Sequence, residues 1–379
     1  MPERHPQRGS LYLDANASVP LLPIALDALI EAAGVAANPS SPHAAGRTAR
    51  RTLDEARRAV AAALGGHDKD VVFTSGASEG NRWLVDAVLE AHPEKLPHLV
   101  MSPLEHPSLR KPLERAAAAG RCTLSVLPLH DGGRLALVAE LLDGADAIFV
   151  TAAHNETGVV SELDELARLI PPGALLAVDA AQAVGRLEPL PARVDAVVAS
   201  AHKMGGPKGA GALLLRGNAR RLPNPWPGGG QEGGRRPGTE ALALLASFGA
   251  AAASVTTTRE AHARLAPLRD RLERGLLEAW PGARVIGAAC PRLPNTSAIM
   301  VPDIDGEALR LAIDLAGVCV GFGSACSALA PEPSPALLAF GLRREEARAT
   351  VRLSLSPHDD EALVEEALRR LAGALPRRF

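Results

Sequence analysis

From residue 71 onward, short apolar runs alternate with longer stretches in which apolar residues recur every three or four positions. The runs at 71–74, 99–101, 124–127, 147–150, 175–178, 196–199 and 212–215 are largely apolar without alternation. That is the pattern of strands buried on both faces of a mostly parallel sheet. Between several of them lie helical patterns. Leu163, Leu166, Leu169 and Ile170 fall at helix spacing, and Leu53, Ala56, Val60, Ala63 and Leu64 mark an amphipathic helix that Gly65 and Gly66 stop. Residues 223–238 are too rich in Pro and Gly for regular structure and predict a flexible connector or a functional loop. Beyond them, 242–277 reads as strongly helical, with Pro267 beginning or kinking a helix. The last third reads as short strands (297–301, 318–320, 351–355) and helices (307–316, 361–371), an α+β module with its own smaller core. The whole predicts an α/β protein in which helices cover a sheet.

Composition narrows the classes. A chain of 379 residues allows two or three domains, and 47% hydrophobic residues supply a sizeable core. A formal net charge of -2 argues against a nucleic-acid surface and against an acidic tail. The first ten residues hold no apolar signal segment, and runs such as 246–255 fall far short of a membrane span. Four cysteines, Cys122, Cys290, Cys319 and Cys326, do not make a disulfide framework, so a soluble cytoplasmic protein is expected. Only Lys69, Lys95, Lys111, Lys203 and Lys208 are lysines among 41 basic residues. Where arginine serves as the general cation, a remaining lysine draws notice, because its amine can lose a proton and act as a nucleophile.

Three strand ends carry candidate chemistry. In 73–81 (FTSGASEGN) a strand runs into a small-residue turn and then a helix beginning near Ser78. Such a turn aims backbone N–H groups and hydroxyls at one point, which suits a phosphate, although an ordinary βα turn has the same composition. Asp179 ends the run 175–178, at the edge where open α/β sheets bind ligands; it also reads as the N-cap of a following helix. Lys203 lies in 200–209 (SAHKMGGPKG), just past another strand, where it is either a solvated lysine or an amine placed to form a Schiff base with an aldehyde cofactor. Together the three suggest pyridoxal 5′-phosphate (PLP), with phosphate at the turn, ring nitrogen at Asp179 and aldehyde at Lys203.

At this point the sequence resembles the class V, fold-type I PLP enzymes, and among them the group I cysteine desulfurases. The matching stretches are 12–20 (YLDANASVP), 38–43 (NPSSPH), 73–81, Glu105-His106, 155–158 (NETG), 179–182 (DAAQ), 200–209, 228–239 (GGGQEGGRRPGT), 323–326 (GSAC) and 352–355 (RLSL). The resemblance implies a large PLP-binding domain with a mostly parallel seven-stranded sheet over residues 15–255. A smaller α+β domain, 1–14 and 256–379, carries the catalytic cysteine loop. It implies that Lys203 binds PLP covalently, that His106 stacks on the ring and moves protons, and that Asp179 keeps the ring nitrogen protonated. Gln182 is expected on the phenolic oxygen. Ala77, Ser78, Ser200 and His202 are expected on the phosphate, joined by Thr239 from the other subunit of a homodimer. Asn155 and Arg352 are expected on the substrate carboxylate, a task that suits the bidentate fork of an arginine.

Cys326 separates a desulfurase from other enzymes of this fold. It lies in 321–333 (GFGSACSALAPEP), a small-residue, Pro-containing segment that reads as a loop, where an exposed thiol can ionise. Cys122, Cys290 and Cys319 read as buried structural cysteines. The implied reaction takes L-cysteine to L-alanine, leaves a persulfide on Cys326 and passes its sulfur to an acceptor protein, as in iron–sulfur cluster biogenesis. The neighbouring readings are a selenocysteine lyase, an aminotransferase or epimerase, which need no thiol there, and a non-catalytic scaffold of a sulfur-transfer complex. Departures from the family pattern are Ser78 for a threonine, Gly205 for a tyrosine or similar residue, Val19 for a threonine and His154 for an asparagine. None removes a catalytic group.

Overall fold

In the computed structural model, which describes residues 9–130, 132–323 and 332–375, the apolar runs become strands flanked by the helices their spacing predicts. The chain opens with β1 (Leu11–Tyr12), α1 (Pro23–Ala33) and α2 (Ala44–Ala63). It then alternates through β2 (Val71–Thr74), α3 (Ala77–Glu90), β3 (His98–Met101), α4 (Pro107–Ala118), β4 (Thr123–Val126), α5 (Ala139–Leu142) and β5 (Ala147–Thr151). α6 (Leu163–Leu169), β6 (Leu175–Asp179), β7 (Ala196–Ser200) and β8 (Gly211–Leu215) follow.

The seven strands β2 to β8 form one sheet in the order β2-β8-β7-β6-β5-β3-β4. All neighbours are parallel except the two pairs made by β8, which runs antiparallel to β2 and β7. Successive residues point to opposite faces of a strand, and both faces are covered, which explains the unbroken apolar runs. Val72, Met101, Phe149 and Val198 pack with Trp83 of α3 and Leu113 of α4, whereas Phe73, Val100, Ile148 and Val197 pack with Leu53 of α2 and Phe248. β4 departs from the expectation of full burial. It lies at one edge of the sheet, and Thr123 and Val126 are exposed.

The helical stretch after the Pro/Gly-rich segment is three helices, α7 (Leu242–Ala253), α8 (Val255–Ala263) and α9 (Ala266–Ala279), with Pro267 in the first turn of α9. There its missing N–H costs nothing, so it starts a helix without kinking one. The last third contains β9 (Arg284–Val285), β10 (Thr296–Met300), α10 (Gly306–Leu315), β11 (Val318–Cys319), β12 (Gly321–Phe322), α11 (Pro335–Ala339), α12 (Arg344–Arg348), β13 (Thr350–Ser354) and α13 (Glu361–Ala374). Of the run expected as a strand at 318–320, only the first two residues form β11, and β12 begins just past it. β11 pairs with β1, and β12 joins the antiparallel sheet β12-β13-β10-β9. A separate core of Leu13, Leu272, Leu276, Trp280, Ile299, Ile313, Val351 and Leu371 holds α9, α10 and α13 on this sheet.

Residues 11–22 stitch the two sheets together. Leu13 N donates to Cys319 O and Ala15 N to Ser354 O on one side, while Val19 N donates to His202 O and Leu22 N to Gly205 O on the other. That bridge brings the end of β13 to the turn after β7.

Candidate active site

The parallel strands end along one edge, and Asp179 and Ser200 are the last residues of β6 and β7. Residues 75–78, beyond β2, close the turn into α3. Gly76 caps α3 at a φ of 154°, and a Cβ on Gly211 of β8 would stand 2.5 Å from its Cα. Only glycine tolerates that backbone and that approach. The turn therefore directs the first N–H groups of a 14-residue helix outward, the anion-favouring end of its dipole. The cavity they face measures about 440 Å³, and Ala77, Ser78, His106, Asn155, Asp179, Gln182, Ser200, His202, Lys203 and Arg352 all line it. Asn16, Thr151 and Lys208 complete much of the wall.

Each side chain is held by identifiable bonds. Asp179 Oδ1 accepts from Ala181 N at 2.9 Å within a turn, since among the described residues no helix lies between β6 and β7 for it to cap as the sequence reading expected, while Oδ2 accepts from Asn81 Nδ2 at 2.8 Å. His106 caps α4, its Nδ1 accepting from Ser108 N at 3.1 Å. Burial holds the His106 imidazole below its ordinary value, aided by Lys203 and Arg110 and opposed by Asp179. A neutral ring that accepts at Nδ1 carries its proton on Nε2. Beside it, Glu105 is buried at 4% exposure with Oε1 accepting from Thr151 N at 2.6 Å. Burial, with the Asp179 charge, raises its carboxyl well above the usual range.

Lys203 Nζ donates to Asn16 O at 2.5 Å and to Ala17 O at 2.9 Å. Burial, with Arg186 and Arg352 nearby, brings its amine down to about 7, against the opposite pull of Asp14 and Asp179. His202 is brought down to about 4 by burial and then by Lys203, Lys208 and Arg186. On the far wall, Arg352 of β13 donates to Asp14 Oδ1 at 2.5 Å and to Asn155 O at 3.2 Å. Its guanidinium lies over Gly321, which faces it in β12, and a Cβ there would fall inside it. Arg352 Nε is buried with no partner among the described residues.

The structure adds detail to the sequence reading at Gln182 and departs from it at the cysteines. The Gln182 side chain donates to Asn16 O at 2.9 Å and accepts from Arg186 at 2.5 Å, so part of its bonding capacity is spent inside the protein. Thr239 is exposed and does not line its own chain's cavity. Cys290 and Cys319 are half-buried, and only Cys122 is buried. Burial raises all three thiols. Cys326 lies outside the described residues.

The Pro/Gly-rich segment proves to be anchored. Buried Glu232 accepts from Arg57 at 2.6 and 2.7 Å and from Phe73 N at 2.7 Å, and Arg236 pairs with Glu79 in the first turn of α3. Sequence reading missed Asn16, Arg186, Asp14, Glu105 and Asn81 as parts of the site. The signal available was that Asp14, Asn16 and Asn81 are polar residues inside otherwise small or apolar motifs.

The aminotransferase class-V family model matches residues 11–366. A cysteine desulfurase of Cereibacter sphaeroides is 37% identical over 373 residues, covering 95% of this chain and 94% of that protein. Among solved structures, a NifS-like protein superposes with a TM-score of 0.87 at 26% identity, over 96% of this chain and 98% of that one. SspA in complex with cysteine superposes with a TM-score of 0.77 at 26% identity, over 93% and 100%.

Proposed function

Because this chain belongs to the aminotransferase class-V family, among its cysteine desulfurases, we propose that it converts L-cysteine to L-alanine and holds the released sulfur as a persulfide on Cys326. Enzymes of this family depend on PLP. The observation that carries the reading is one cavity that joins a helix N-terminus, a strand-end carboxylate, an amine near neutrality and a buried arginine.

That donor set fits PLP. The α3 N-terminus with Ser78, Ser200 and His202 matches a phosphate, Asp179 matches a protonated ring nitrogen, and Lys203 matches an aldehyde. Gln182 retains an N–H for the phenolic oxygen. When bound, PLP supplies a carbonyl carbon for amines and a ring that takes up the electron pair left at the substrate α-carbon. Lys203 anchors the cofactor and, once released by substrate, removes the α-proton at Nζ, a task for which an amine near 7 is matched to neutral pH. His106, neutral with its proton on Nε2, is the proton donor on the cavity wall. Arg352 pairs with the substrate carboxylate, and Asn155 helps to fix it. The Cys326 thiolate attacks the substrate sulfur; the Cβ–S bond breaks with its electron pair going to carbon, where a proton completes alanine. The sulfur stays on Cys326 as persulfide until an acceptor protein takes it.

The SspA structure with cysteine lends support to the substrate class. The homodimer reading rests on exposed Thr239 and on the exposed apolar side chains Ile24, Leu26 and Ile30 around α1. The domain division at residues 15–255 is supported by the separate core around Trp280. A cytoplasmic, acceptor-coupled role accords with free thiols at Cys122, Cys290 and Cys319; among the described residues no helix is long and apolar enough to cross a membrane.

The test is turnover of PLP-loaded protein with L-cysteine, measuring alanine, sulfide in the presence of reductant, and the mass of the Cys326 peptide in its absence. Alanine with a one-sulfur adduct on Cys326, both lost in Cys326→Ala, is the expected result. Alanine formed at full rate by Cys326→Ala would overturn the assignment, and bound PLP without alanine would overturn the reaction.

A further inference from the structure

Arg186 is 3% exposed, and the side-chain hydrogen bonds it makes among the described residues all go to neutral oxygens. A guanidinium buried at this depth among neutral partners is costly and persists only where surrounding groups demand it. Its contacts are all with the site. One terminal nitrogen donates to Asn16 Oδ1 at 2.6 Å and to Gln182 Oε1 at 2.5 Å, and the other donates to Lys203 O at 3.3 Å. Asn16 in turn offers its backbone carbonyl to Lys203 Nζ and to Gln182 Nε2. Arg186 thus stands one bond behind Asn16, one of the two residues whose carbonyls receive the amine.

We infer that Arg186 is a positioning residue for the reaction, a buried cation that clamps Asn16 and Gln182 and holds its charge against the back of Lys203. The clamp fixes which end of the Gln182 amide faces the cavity, because Oε1 is taken and only N–H groups remain. Donation to Oε1 also polarises the amide and strengthens those N–H donors. The charge disfavours protonation of the Lys203 amine, and Arg186 is the leading cause after burial for the amine's descent to about 7. The other charged groups facing Lys203 are Arg352 of β13, Asp14 of the bridging segment and Asp179 of β6, with the two carboxylates opposing the arginines. Lys208 lines the same cavity, and the His106 and His202 imidazoles beside it are held below their ordinary value. The guanidinium itself is brought down to about 9, first by burial and then by Arg352, as expected for a cation bonded to neutral partners.

The inference rests on Lys203 being the cofactor lysine, and the experiment separates the two ideas. Full-length apoprotein is acetylated with trace acetic anhydride over a neutral-to-alkaline pH series. Each lysine is read by peptide mass spectrometry against exposed Lys95 and Lys111. In the parent protein Lys203 reacts with a midpoint near 7, and PLP loading protects it. Lack of protection by PLP overturns the cofactor reading and leaves the midpoint comparison intact. In R186Q the midpoint rises by about one unit or more, so Lys203 reacts roughly tenfold less at neutral pH relative to Lys95, while R186K keeps most of the parent behaviour. A folded R186Q whose curve superposes on the parent overturns the inference. If circular dichroism shows R186Q unfolded, R186M carries the same comparison, since it buries no polar atom at that position. If neither folds, a raised midpoint in R186K overturns the role of the charge.

Discussion

At the edge of the large sheet, Asp179 and Ser200 each end a strand, and the adjoining residues deliver Ser78, His202 and Lys203 into the cavity within a turn. On the facing wall, Arg186 meets Asn16 across 170 residues of chain and Arg352 meets Asp14 across 338. The first wall needs only parallel strands that stop in register. The second needs two sheets docked so that a buried ion pair and its neighbours are all satisfied together. Chemistry at the sheet edge is local and tolerant of the rest of the molecule, whereas the polar web is a product of docking and fails as a unit.

The largest effect that sharpens this contrast is at the edge. Lys203→Ala removes both anchor and base, and turnover with L-cysteine falls on the order of 10⁴-fold with the fold intact by circular dichroism. In the parent apoprotein, uptake of PLP accelerates as pH rises through about 7, because only the unprotonated amine adds to an aldehyde. Absorbance stopped-flow across that range checks it, and uptake that slows with rising pH would contradict the depressed amine.

Next comes the web. Arg352→Gln leaves Asp14 facing a neutral group and removes the carboxylate fork. A loss of about 3 kcal/mol, or about a hundredfold in kcat/KM, is expected. If the web acts as a unit, the double variant with Asp14→Asn costs less than the sum of the singles in a double-mutant cycle. Additive effects would show two independent contacts.

A smaller effect compares the site with the periphery. Burial, with Arg352 and His106, brings His154 down to about 3, and burial, with Arg186, does the same to His262 in α8. As pH falls below about 6.5 the unfolded chain takes up protons that these folded imidazoles refuse, so stability declines toward acid. At 2% and 0% exposure, each residue is expected to cost about 2 kcal/mol by about pH 5. His262→Leu should remove its share of the acid slope in urea melts without changing turnover. An unchanged slope would mean that His262 protonates in the folded state.

The smallest effect marks the baseline. Val126→Thr, on the exposed edge strand β4, should shift stability by less than about 0.5 kcal/mol. A larger loss in thermal melts would show that this edge is covered in the assembled protein.

Most of the sheet edge was legible in the sequence, because a buried strand, a small-residue turn and the next helix follow one another along the chain. Asp179 and Lys203 stood out as polar residues where apolar runs stop. Asp179 lines the cavity but caps no helix, because the segment after β6 forms turns. The web was not legible in the same way. Asn16 stood in a motif read for its resemblance alone, and Arg186 looked like any arginine in a chain that uses arginine freely. Nothing in either residue's neighbours foretells the other. That β11 and β12, neighbours along the chain, join different sheets was likewise hidden, since which sheet each dipeptide joins depends on partners elsewhere in the chain.

The sequence by itself determined the alternation of strands and helices, the turn chemistry at their ends and the supply of Lys203, Asp179 and Arg352 for the cavity. It did so because periodicity, glycine freedom and strand burial are properties of consecutive residues. Tertiary structure alone decided that the Lys203 amine falls to about 7, that the Glu105 carboxyl is raised and that Arg186 is buried among neutral partners. Those are consequences of desolvation and of charges brought close by folding, and both act through space rather than along the chain.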